Sequence, residues 1–122
     1  MAVKRYLANK DNTITNSFKA DLSTRGTGSN MGQSDILEAF SIYAQATTSS
    51  VELQRFLIQF DTDAINTDRD AGLIPASGSV EWRLKLYNAR HSSTLPRNYT
   101  LNIHPITAEW EEGIGMDMEN YT

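Results

Sequence analysis

The sequence contains no cysteine. That excludes disulfide staples, zinc–thiolate sites and thiol nucleophiles, and it fits synthesis in a reducing cytosol. Long apolar runs are missing as well: no stretch approaches the roughly 18 residues that a membrane span needs, so no membrane partner is expected. The opening residues, MAVKRYLANK, are too short and too polar for the apolar stretch of a signal peptide. A protein made in the cytosol is the expectation. Asn98-Tyr99-Thr100 and Asn120-Tyr121-Thr122 spell the glycosylation triplet, but without a secretion signal both read as chance. Positive charge is scarce: 11 Lys and Arg stand against 15 Asp and Glu, for a net charge of −4 and a pI near 5.0. The basic residues are scattered, which argues against nucleic acid as a partner. Internal repeats and low-complexity tracts are absent too.

What remains is one domain's worth of chain, 122 residues, long enough to bury about two-thirds of its unfolded surface. Its hydrophobic period is two rather than 3.6. From Val80 the sequence sets Val80, Trp82, Leu84 and Leu86 against Glu81, Arg83, Lys85 and Tyr87. This predicts a half-buried strand with Trp82 in the core and its charged side in water. Residues 53–60 set Gln54, Phe56, Ile58 and Phe60 against Leu53, Arg55, Leu57 and Gln59. Tyr99, Leu101 and Ile103 alternate with Thr100, Asn102 and His104, and shorter strands are predicted at 4–8 and 12–16. Residues 34–45 suit a helix or a strand, and Phe40, Ile42 and Tyr43 tilt the reading towards strand. Residues 24–35, 62–79 and 88–97 are rich in turn formers, with room for one helical turn around 68–73. Short strands joined by such connections predict an all-β chain, an antiparallel β-sandwich of jelly-roll type or a barrel with at most one short helix.

Chemistry-bearing residues are few. Gly26-Thr27-Gly28 followed by Gly32 lacks the spacing of a dinucleotide fingerprint and the Gly-Lys-Ser/Thr of a Walker loop. A flexible glycine loop is the better reading. Asp61, Asp63, Asp68 and Asp70 form the densest acidic cluster, a candidate Ca²⁺ site. Its spacing is not that of an EF-hand, and solvated turn carboxylates compete with the metal. His91 and His104 lack evident partners, and Glu109, Glu111 and Glu112 read as charged flanks of a partly buried Trp110 rather than a glycosidase pair. No catalytic residue, cofactor or enzyme activity is predicted. Tyr43, Tyr87 and Tyr99 are candidate surface aromatics for a glycan. Lys4, Arg5 and Tyr6 mark a basic arm that reads equally as a docking strand or a loose terminus.

The order of short motifs carries a resemblance. Gly28-Ser29-Asn30-Met31-Gly32-Gln33-Ser34-Asp35 is followed by Arg55-Phe56-Leu57-Ile58-Gln59-Phe60-Asp61 and Ile74-Pro75-Ala76-Ser77-Gly78. Arg83-Leu84-Lys85-Leu86-Tyr87 comes next, then Ile106-Thr107-Ala108-Glu109-Trp110-Glu111-Glu112-Gly113. This resembles the DNRLRE-type β-sandwich domains, which are also classed among carbohydrate-binding modules. Their pattern runs N-x-G-x-S, R-x-L-x-x-F-D, I-P-x-G, L-x-L-Y, W-x-E-G. The resemblance spans residues 13–113 and implies a sandwich there, flanked by an arm at 1–12 and a tail at 114–122. In that family the domain continues past W-x-E-G, so the resemblance raises a longer native protein, with a sheet edge left for a neighbour to complete.

The wording of residues 24–35 and 78–117 is also similar to virion structural proteins of tailed marine bacteriophages, which often carry such a sandwich. That likeness implies a capsid decoration or cement protein, made in the host cytosol and located on the virion. Its partners would be other capsid or tail proteins and further copies of itself. A tail or fibre subunit and a glycan-recognising module are the alternatives.

Overall fold

A computed structural model describes residues 3–26, 30–76, 78–92 and 98–116. Gly28 and Ser29 of the glycine loop, Ser77 of the Ile-Pro turn, residues 93–97 of the polar connection and tail residues 117–122 lie outside the described residues. The chain forms two units, Met1–Glu81 with Glu112–Thr122, and Trp82–Glu111.

The first unit holds strands β1 (Ala8–Thr15), β2 (Phe40–Tyr43) and β3 (Val51–Phe60), then helix α1 (Thr62–Asp70). The strands make one antiparallel sheet in the order β1-β3-β2. β3 is central because its run of Val, Leu, Phe and Ile suits a strand flanked on both sides. Phe56 stands opposite Thr13, Gln54 opposite both Thr15 and Phe40, and Glu52 opposite Ile42. A register shift between Ala8 and Lys10 marks a bulge near the start of β1, where an edge strand bends most readily. The regular structure among the described residues is therefore mostly antiparallel sheet, with one short helix. β1 begins at Ala8, so the sheet takes in residues assigned above to the arm. Only Phe40–Tyr43 of the predicted 34–45 strand joins the sheet.

The β2–β3 hairpin is organised by one buried hydroxyl. Ser50 Oγ accepts from the backbone N–H of Ala46 at 3.0 Å and of Thr47 at 3.2 Å, and donates to the Thr47 carbonyl at 2.9 Å. Those groups belong to a seven-residue connection that cannot pair with the ladder, so the side chain satisfies them locally. Ser50→Ala is expected to cost about 0.5–1.5 kcal/mol, the net worth of a typical hydrogen bond, because Thr47 is exposed and its carbonyl also accepts from Ser50 N–H. Urea denaturation with an unchanged slope is the check.

α1 is specified at its ends more than along its length. Its sequence, TDAINTDRD, is poor in strong helix formers. Asp61 caps it, accepting from the N–H groups of Asp63 at 3.0 Å and Ala64 at 3.3 Å. At the other end Gly72 adopts φ +72°, with Gly72 N–H bonded to the Arg69 carbonyl and Leu73 N–H to the Asp68 carbonyl. That is a Schellman stop, which the glycine makes without strain. The helix thus lies earlier than the single turn predicted around 68–73.

Among the described residues, buried side chains in this unit are mainly polar: Asn12, Thr13, Ser17, Ser50, Glu52 and Gln54, with only Met31 and Ile74 as buried apolar residues. Hydrogen bonds therefore carry much of the internal order. Thr13 Oγ1 accepts from Glu38 N–H at 3.2 Å, while Gln54 Nε2 donates to Glu38 Oε2 at 2.7 Å. Glu52, only 2% exposed, accepts from Phe18 N–H at 2.7 Å. Arg25 stacks on the Phe18 ring at 3.7 Å and donates to the carbonyls of Asn16 and Val51. In the same loop Asp21 accepts from the N–H groups of Thr24 and Ser23. Those bonds, with the Thr24 hydroxyl, hold its carboxyl far below the usual range.

Residues 112–115 close against residues 30–33 and β1. Asn30 Oδ1 accepts from both Gly32 N–H and Gly115 N–H at 2.9 Å, and Gln33 N–H donates to the Gly115 carbonyl at 2.8 Å. Glu112 takes two bonds from β1: its carboxyl from Asp11 N–H at 2.8 Å, its carbonyl from Asn12 Nδ2 at 2.6 Å. Burial, and secondly the nearby Glu112 charge, raise the Asp11 carboxyl above its ordinary value. Part of the predicted tail is therefore integral to the unit.

Candidate interaction surface

The second unit, Trp82–Glu111, forms no helix or strand among its described residues. This corrects the two strands predicted from the alternation at 80–87 and 99–104. The alternation is real, yet among the described residues no neighbouring strand completes a ladder with it. Trp82 is 57% exposed rather than in the core, and Leu84, Leu86, Leu101 and Ile103 are exposed with it. Tyr99 is exposed as well, and Trp110 is half-buried as predicted. A strand-length segment with Trp82, Leu84 and Leu86 all open to water is the kind of apolar surface that marks an interaction site.

Lys85 Nζ lies 4.7 Å from the centre of the Tyr87 ring, a cation–π contact available because both residues share the charged side of the alternation. Tyr43 stands on the edge strand β2, and Tyr43 and Tyr87 are both exposed. The three tyrosines named as surface aromatics are therefore on the surface, Tyr43 in the first unit and Tyr87 and Tyr99 in the second.

The basic arm is tied down at a single carboxyl. Lys4 Nζ pairs with Asp68 Oδ2 at 2.9 Å, and the Tyr6 hydroxyl donates to the same oxygen at 2.7 Å. Lys4 and Tyr6 reach Asp68 together because alternate residues of an extended arm point the same way. Arg5, between them, is exposed. The Lys4 bond first, then the Tyr6 bond, holds the Asp68 carboxyl below its ordinary value, and the Asp68 bond raises the Tyr6 hydroxyl above its own.

Because Asp68 is depressed, its contribution is full above about pH 4, its unfolded value, and fades as pH falls through the lower folded value. Tyr6 is raised, so its contribution is full below about pH 10 and is lost as pH rises past its folded value. Asp68→Asn should free the arm, speeding amide exchange and proteolytic cleavage at residues 3–7 by about tenfold or more at neutral pH. The wild-type arm should behave alike only in strong acid or strong base.

The acidic cluster does not assemble. Asp61 is the cap of α1, Asp63 lies in its first turn, Asp68 serves the arm and Asp70 is exposed at the helix end. Among the described residues no three acidic, histidine or cysteine side chains converge as metal ligands, so the cluster is not brought together as a Ca²⁺ site. His91 and His104 are both exposed, as are Glu109 and Glu111. A shallow groove of about 110 Å³ is lined by Ile14, Thr15, Asn16, Leu53 and Arg55, well under the roughly 300 Å³ at which ligand pockets begin.

Reading the sequence missed the clasp between 30–33 and 112–115. Its one available signal was glycine spacing, Gly32 against Gly113 and Gly115. Comparison with protein-family models, curated proteins and solved structures returned no match.

Proposed function

We propose that this chain is a structural subunit of a bacteriophage virion, decorating or cementing the capsid through protein–protein contacts. The observation that carries an assembly role is the open apolar side of residues 82–86, where Trp82, Leu84 and Leu86 stand exposed on a strand-forming sequence. Burying such side chains yields about 1.5–3 kcal/mol each, and a neighbouring subunit is the partner that an assembly protein has at hand. The virion location rests on the resemblance of its motifs to phage structural proteins. Binding that favours the assembled shell over free subunits stabilises the shell by mass action. Repetition over a symmetric lattice adds avidity to a modest single contact. In this reading residues 80–106 supply strands of a second sheet, and the β-sandwich is completed on assembly. Synthesis is in the host cytosol and the chain performs no catalysis.

Quantitative mass spectrometry of purified particles tests the proposal. A fixed simple ratio to the major capsid protein supports lattice decoration. A few to tens of copies moves the chain to a tail or fibre, and absence from the particle removes the virion reading. Exposed Tyr43 and Tyr87 favour a second reading, a carbohydrate-binding module. It requires glycan affinity that disappears in Tyr43→Ala or Tyr87→Ala.

A further inference from the structure

We infer that residues 80–87 pair with the same segment of a second copy of this chain, antiparallel, with Trp82 on the two-fold axis. The inference rests on the assembly role proposed above and names the first partner of that surface.

The segment reads VEWRLKLY. In a two-fold antiparallel pair, opposed residues share a face and their numbers add to a constant. Keeping the apolar side together makes that constant even, so the axis passes through a residue, and charge then selects which one. Centring on Glu81, Arg83 or Lys85 sets a charge against its own copy. Centring on Leu84 opposes Arg83 to Lys85 twice. Centring on Val80 or Leu86 makes no pair of opposite charges and sets Trp82 against Gly78 or Arg90.

Centring on Trp82 opposes Glu81 to Arg83 twice and Val80 to Leu84 twice, with Trp82 against Trp82 and Lys85 against Ser79. It is the one register with opposite-charge pairs and no like-charge pair. Like charges set directly opposite destabilise a ladder and opposite charges support it, so the sequence specifies a self-complementary edge. Trp82, 57% exposed in the single chain, becomes the central aromatic anchor, the kind of residue on which interfaces concentrate their energy.

The absence of cysteine allows a direct test, because W82C would place the only thiol of the chain on the axis. Opposed Cα atoms of an antiparallel pair lie about 4.5–5.5 Å apart, within disulfide reach. Mild oxidation should link W82C into covalent dimers, whereas L84C, which faces Val80, should link far less. Sedimentation equilibrium of the uncrosslinked chain should show a dimer that E81R or R83E alone weakens about tenfold or more. The double variant E81R/R83E should restore it, and circular dichroism should show all three folded alike.

A monomer at every concentration overturns the pairing, as does a dimer indifferent to both single swaps or equal linking through L84C. These outcomes are separable from the fate of the virion reading. A monomer found on particles keeps the assembly role with another partner. A Trp82-centred dimer absent from particles keeps the pairing and removes the virion.

Discussion

Gly113→Ala should strongly destabilise the protein, through backbone strain and steric overlap together. Gly113 has φ +79°, a region that costs an L-residue roughly 1–2 kcal/mol, and an added Cβ there would overlap the Asn30 side-chain amide. Asn30 cannot simply swing aside, because its Oδ1 already accepts from Gly32 and Gly115. Overpacking against a fixed neighbour adds about 1–3 kcal/mol. The sum, about 2–5 kcal/mol, predicts a melting temperature lower by about 10 °C or more. Gly32→Ala should act in the same direction, since its Cβ would meet the Glu112 carbonyl. Gly72→Ala separates the two causes: its φ is also positive, but nothing lies near the added methyl. It should cost only the backbone strain, about 1–2 kcal/mol. Equal losses at Gly72 and Gly113 in calorimetry would remove steric fit from the account.

Glu52 offers the second large effect, with unequal outcomes for two substitutions. One carboxyl oxygen accepts from Phe18 N–H, while the other is buried with no hydrogen-bond partner. Glu52→Ala orphans the Phe18 N–H and opens a hole beneath the 18–25 loop. A loss of about 2–4 kcal/mol is expected from the unmet donor and the lost packing together. Glu52→Gln preserves the acceptor towards Phe18 and replaces the lone oxygen with an amide nitrogen. The new amide donors replace a buried oxygen that had no partner, so this variant should cost about 1 kcal/mol, well short of the Ala loss. Urea midpoints of the two variants check this, and a Gln variant as unstable as the Ala variant would mean the carboxyl has a further partner.

Particular residues show why some of this architecture could be read from sequence and some could not. β3 was legible because Phe56, Ile58 and Phe60 alternate with Arg55 and Gln59 in a run of strong strand formers, and a central strand has little else to become. α1 was misplaced because TDAINTDRD lacks helical periodicity. Its caps, Asp61 and Gly72, use turn chemistry, which is the same chemistry one residue beyond a helix. Trp82 was assigned to a core because alternation reports that a face is to be buried, not which chain buries it. The aspartates looked like a ligand set because sequence gives spacing alone. Once a helix begins at Thr62, they are carried to its start, its end and its side. The pairing of Glu112 with Asp11 and Asn12 joins positions that no local pattern connects.

That last pairing bears on the order in which the protein is built. Glu112 reaches β1 across a sequence separation of 101 residues, and Gly115 reaches Asn30 across 85. Contacts so distant along the chain raise the contact order, and closing such loops must precede any stabilisation they return. During synthesis β1, β2 and β3 emerge well before the segment that clasps them. The early sheet therefore waits with its β1 edge incompletely covered. Final consolidation waits until residues 112–115 have emerged, so a chain interrupted before them holds a sheet without its clasp.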